Sequence, residues 1–103
     1  MASGQQQRVL ITGLTNTAQT VFAAGSKAVI QTIIAAVEGA SDRVVLFQSA
    51  NGAVEFFRIA VKGGSSQILG DPGLFFVPAT GVRVLTTAPA GDVSVSFVYI
   101  ELP

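Results

Sequence analysis

Turn-forming residues recur along this chain about every ten residues, and short apolar runs fill the intervals. The turn signals are Gly13, Ala24-Gly25-Ser26, Gly39 to Asp42, Asn51-Gly52, Gly63 to Ser66, Asp71-Pro72-Gly73, Ala79-Thr80-Gly81 and Pro89 to Asp92. Such even punctuation is the mark of short strands packed as a sandwich or barrel. Asn51-Gly52 is the strongest hairpin signal, because both residues tolerate the positive φ that a type I′ turn demands. In Asp71-Pro72-Gly73 the proline presets φ and the glycine accepts the left-handed position. Strands are expected at about 8–14, 19–24, 27–38, 43–49, 53–62, 66–69, 74–77, 81–88 and 93–102. That number of strands is enough for two packed sheets. A chain of 103 residues makes one domain, and no linker, composition break or repeat divides it.

Residues 27–38 carry two competing patterns. Val29, Ile30, Ile33, Ile34 and Val37 fall at helical spacing, Ser26 can cap a helix start, and Gly39 can end one. Against this stands β-branching, since Val, Ile and Thr are stiff in helices and favoured in strands. The segments on both sides read as strands, and strand is the expectation here.

The segment 93–102 says most about assembly. Side chains alternate across a strand, so Val93, Val95, Phe97 and Tyr99 share one face. The other face begins with Ser94 and Ser96 and then turns apolar at Val98, Ile100 and Leu102. One apolar face is enough for a strand of a sandwich. A second one calls for another cover, and a second copy of the chain supplies it. The adjacent pairs Phe56-Phe57 and Phe75-Phe76 are expected to send one ring inward and one outward each. Interface contacts are therefore expected at Phe57, Phe76, Val98, Ile100 and Leu102.

Composition excludes several function classes. Only 12% of the residues are charged, against about 25% in ordinary soluble domains. Six basic residues (Arg8, Lys27, Arg43, Arg58, Lys62, Arg83) are scattered and balanced by six acidic ones, so no basic face offers itself to nucleic acid. There is no histidine and no cysteine, which removes Ser-His-Asp and Cys-His systems, imidazole or thiolate metal sites, and disulfides. No apolar run reaches the roughly 18 residues of a membrane span. Met1–Gln7 lacks the pattern of a signal peptide and reads as a flexible arm, with the domain occupying 8–103.

The carboxylates are Glu38, Asp42, Glu55, Asp71, Asp92 and Glu101. A carboxylate pair can carry acid–base chemistry when the two approach within about 5–10 Å. However, Asp42, Asp71 and Asp92 sit in turn signals, where Asp bonds its own backbone. Calcium ligation by Asp42 and Asp71 lacks the dense Asp/Asn loop that calcium needs. Gly63-Gly64-Ser65-Ser66 lacks the spacing of a phosphate loop. Arg58 and Arg83 lie mid-strand, on a solvated face or in a charge pair with Glu55 or a neighbouring subunit. No catalytic residue, cofactor or metal is expected.

The order of segments nevertheless resembles a known group. Thr-Val-Phe-Ala-Ala-Gly-Ser-Lys-Ala-Val-Ile (20–30) is followed by Val-Val-Leu-Phe (44–47) and Phe-Phe-Arg-Ile-Ala-Val (56–61). Then come Gly-Leu-Phe-Phe-Val-Pro-Ala-Thr-Gly-Val-Arg-Val (73–84) and Val-Ser-Val-Ser-Phe-Val-Tyr-Ile-Glu (93–101). Across residues 8–103 this pattern of turns and strand lengths resembles the small jelly-roll or β-sandwich virion proteins of tailed bacteriophages. The resemblance implies an all-β sandwich of jelly-roll type with about eight antiparallel strands. It also implies a structural, non-enzymatic role decorating or cementing the outer capsid surface as a homotrimer. The partner would then be the major capsid protein, after synthesis in the host cytoplasm. Two binding roles remain beside it: a tail-fibre or baseplate adhesion module, and a carbohydrate-binding module. The latter is disfavoured because the chain has no Trp and one Tyr.

Overall fold

The computed structural model describes residues 6–69 and 75–102, and among them the chain forms nine strands, all paired antiparallel in two sheets. The first sheet runs in the order β1 (Gln6–Leu14), β9 (Val93–Glu101), β3 (Ala28–Val37), β6 (Ser66–Leu69), and the short β7 (Phe75–Phe76) also pairs with β3. The second sheet runs β2 (Gln19–Phe22), β8 (Val82–Thr86), β4 (Arg43–Gln48), β5 (Glu55–Val61). With β6 and β7 taken as one interrupted strand, this is the eight-stranded jelly roll, whose chain crosses repeatedly between the sheets.

Residues 28–37 are a strand, so β-branching prevails over helical spacing in that segment. The pattern that imitates a helix comes from a bulge. Ile30 pairs with Tyr99 and Thr32 with Val98, which leaves Gln31 as an extra residue. The bulge shifts the inward positions from Ala28 and Ile30 to Ile33, Ala35 and Val37. A strict two-residue alternation would have turned the second half of the strand outward.

Two expectations need correction. Gln6 and Gln7, expected as the end of the arm, already belong to the first strand, where they pair with Ile100 and Tyr99. Asn51-Gly52 does lie between two paired strands, but not in a type I′ turn. Gly52 has φ +77° and Asn51 keeps a negative φ. Instead Asn51 Oδ1 accepts hydrogen bonds from Ser49 Oγ (2.6 Å) and the Ala53 amide (2.9 Å), while the Gly52 amide donates to the Ser49 carbonyl. The side chain thus organises a wider loop from Ser49 to Val54. The expected turn at Asp71-Pro72-Gly73 and residues 1–5 of the expected arm lie outside the described residues.

The core lies between the sheets. Val93, Val95 and Phe97 of β9 face Val45, Phe47, Val82 and Val84 of the second sheet, all buried. A relay of aromatic rings crosses it. Tyr99 meets Phe22 edge-on at 5.0 Å, and Phe22 meets Phe97 at 6.2 Å. Phe97 meets Phe47 at 5.9 Å, Phe47 stacks on Phe57 at 4.6 Å, and Phe75 closes on Phe57 and Phe56. Edge-to-face and offset contacts at these separations are the favoured aromatic geometries. Gly81 closes the turn into β8 with φ +79°, and a Cβ there would run into the Phe22 carbonyl oxygen, so only glycine suits both demands.

Candidate interaction surface

Each sheet presents one face to the core and one away from it, and the two outer faces differ in character. On the second sheet, Arg58, Glu55, Arg83 and Gln48 interrupt the apolar positions Val44, Leu46 and Leu85. Arg58 grips Glu55 through two hydrogen bonds of 2.7 and 2.8 Å, which answers the mid-strand charge with a partner in its own chain. That hydrogen bonding holds the Glu55 carboxyl below its usual range and raises Arg58 above its own. Arg83 Nε donates to Gln48 Oε1 at 2.9 Å.

The outer face of the first sheet carries almost no charge. Its cross-strand rows read Gln6–Ile100–Val29–Phe76, then Arg8–Val98–Thr32, then Leu10–Ser96–Ile34–Ile68. Within the paired strands of this face Arg8 is the sole charged side chain; Glu101 pairs with buried Ala28 and so belongs to the opposite side. Five large hydrophobic side chains are exposed among the described residues, and four of them lie here: Leu10 (61% exposed), Ile68 (69%), Phe76 (67%) and, just past β9, Leu102. Scattered exposed apolar residues are ordinary in any protein, whereas concentration on one face is not.

The five expected contact residues therefore separate. Phe76 and Leu102 stand exposed on this face, and Ile100 is half-buried between Gln6 and Val29. Val98 also points outward but is only 9% exposed, so it offers little surface to a partner. Phe57 is a correction. A bulge where Phe47 pairs with Phe57 and Gln48 with Glu55 leaves Phe56 as the extra residue, and Phe57 turns inward onto Phe47. Both rings of this pair pack against the core, so neither is the outward one. Leu10, Ile34 and Ile68 escaped sequence reading because their place on a shared face depends on strand order and on the β3 bulge.

At one end of the sandwich, loops are tied by polar contacts. Arg43 holds Asp92 in a bidentate pair (3.0 and 3.1 Å), joining β4 of one sheet to the turn before β9 of the other. Asp42 Oδ1 accepts the Gly63 amide at 3.0 Å, a backbone bond to a distant loop rather than to its own turn as expected. An open cleft of about 410 Å³ lies beside it, lined by Asp42, Ala60, Val61, Lys62, Ser65 and Gln67. Ser65 Oγ in that cleft already donates to the Lys62 carbonyl. Among the described residues no group of three or more Asp or Glu side chains gathers as a metal site would require.

Neither a protein-family model nor a curated protein matches the chain. Solved structures do. A chain of the Bacillus endospore appendages, which form disulfide-linked pili, superposes with a TM-score of 0.56 at 22% identity, covering 100% of this chain and 96% of that one. The core of Drosophila NLP, studied for pentamer formation and histone binding, gives 0.57 at 18% identity, covering 96% of this chain and 100% of that one. The virus-like particle of the extra small virus of the prawn Macrobrachium rosenbergii gives 0.44 at 10% identity, over 92% of this chain and 77% of that one. At such identities the first two likenesses show the fold alone, in keeping with the strand order above: this chain is a single β-sandwich of jelly-roll type.

Proposed function

We propose that this chain is a structural, non-enzymatic subunit that works by associating with copies of itself in a larger particle. The observation that carries this reading is the concentration of exposed apolar side chains on the nearly uncharged outer face of the first sheet. In water such a face favours association in proportion to the apolar area it buries. Within this reading the first placement to test is the outside of a phage head, where the chain would act as a decoration or cement protein, as a homotrimer on the major capsid protein. A subunit bound only to the assembled shell stabilises that shell by mass action.

A second placement, a subunit of a pilus-like filament, is favoured by the end-to-end overlap with the Bacillus appendage chain. That chain belongs to pili linked by disulfides, whereas this one has no cysteine, so its filaments would cohere by packing alone.

The test is solution mass by light scattering across a range of concentrations, with electron microscopy of the same samples. A closed oligomer of fixed mass supports the decoration reading, which is then checked by co-sedimentation with capsids. Long filaments support the second placement. A monomer at every concentration overturns both.

A further inference from the structure

We propose that the outer face of the β1-β9-β3-β6 sheet docks against the same face of a second copy, about a two-fold axis running parallel to the strands. The proposal rests on the self-association read above and names the pair, rather than the trimer, as the unit this face builds.

Size is the first argument. Four strands spaced about 4.8 Å apart and about eight residues long present roughly 500 Å² in flat projection. Two such faces in contact would cover roughly 1,000 Å² before side-chain relief is counted, which reaches the lower bound of specific interfaces.

The second argument is chemical and selects the partner. Arg8, on the edge strand β1, is the one charge within the paired strands of this face, and exposed Lys27, whose carbonyl accepts the Leu102 amide, borders it at the start of β3; two separated cations form no charged patch that would recruit an acidic protein. Any occupant must be as uncharged as the face itself, since an unpaired charge buried against it would be costly. The second copy meets that condition. Gln6 donates to Gln31 on this face, and the other polar side chains between the apolar ones are the hydroxyls of Thr32, Ser66, Ser94 and Ser96. A hydroxyl both donates and accepts, so a row of them can bond to its own duplicate.

The third argument fixes the axis. A two-fold parallel to the strands exchanges the edges of the sheet. It lays β1 of each copy over the β6 and β7 edge of the other, so the two Arg8 residues lie at opposite margins. Each guanidinium then approaches the exposed Phe76 ring of the partner, where a cation is attracted to the aromatic face. A two-fold perpendicular to the strands would stack the two β1 edges and bring the Arg8 pair to the same margin.

The experiment uses the absence of native cysteine. Ser96→Cys places a single thiol near the middle of the face, and Ala60→Cys places one on the outer face of the other sheet. Stacked sheets lie about 10 Å apart, so a bis-maleimide of that reach should join Ser96→Cys chains into a covalent dimer and leave Ala60→Cys monomeric. In parallel, Ile34→Lys with Ile68→Glu should halve the light-scattering mass while circular dichroism keeps the strand signal. Leu85→Glu on the other sheet should leave the mass unchanged. Should the double variant fail to fold, the cross-link alone decides. If the wild type assembles but Ser96→Cys does not cross-link, face docking is overturned and the structural reading stands. A closed trimer whose chains never pair through this face overturns the docking in the same way. A wild type that is monomeric throughout overturns both.

Discussion

Asp92 shows how much one side chain can organise. Its carboxylate accepts both arms of Arg43 from the opposite sheet, and its backbone carbonyl accepts the Glu38 amide. Gly39 leaves the space in which that carboxylate sits, because a Cβ at this position would collide with it. The pair is mostly shielded from water, so it should couple more strongly than an exposed ion pair. A double-mutant cycle of Arg43→Ala and Asp92→Ala, read by urea unfolding, should return a coupling of about 1–3 kcal/mol. A value near zero would mean that the loops at this end are held by backbone bonds alone. The turn at Pro89 to Asp92 was legible in the sequence, because Asp beside Gly after Pro is turn chemistry, but the expected bond of the Asp92 carboxylate to its own backbone gives way to Arg43. That partner was not legible, since Arg43 lies far away in sequence and only the crossing of the chain between sheets brings the two together.

At the scale of elements, strand positions were largely written in the chain. Turn residues mark where pairing stops, and the strands at 43–48, 66–69 and 93–101 fall within a residue or so of the expected limits. What the sequence withheld was defects. The bulges at Gln31 and Phe56 each insert one residue, and one residue inverts every side chain that follows. For this reason the fate of Phe57 was misread and the helical imitation of residues 27–38 arose. Deleting Gln31 should be far more harmful than replacing it. Gln31→Ala should change stability by no more than about 0.5 kcal/mol. The deletion instead turns Ile33, Ala35 and Val37 out of the core, and should leave the protein insoluble or without a cooperative melt by circular dichroism. A deletion variant that melts like the parent would show that the strand can slip and re-pair. Strand order was the other hidden quantity: evenly spaced strands do not say which will be neighbours, and both outer faces depend on that.

For the molecule as a whole, apolar side chains occur on both sides of one sheet, while most charge sits on the other sheet and in the loops. Association through a face with one charge within its paired strands should barely respond to salt. Oligomer mass measured from about 0.05 to 1 M sodium chloride should stay constant, because screening acts on charges and not on apolar contact. A steep loss of mass with salt would point instead to the charged second sheet. The jelly roll also imposes an order in time. β9 lies between β1 and β3, and so the middle of its sheet is the last of the nine strands to be translated. While β9 is still inside the ribosome, β1 has no neighbour and β3 lacks one side. The nascent chain therefore carries open strand edges until β9 has left the ribosome, and that interval is when it is most exposed to pairing with the wrong chain.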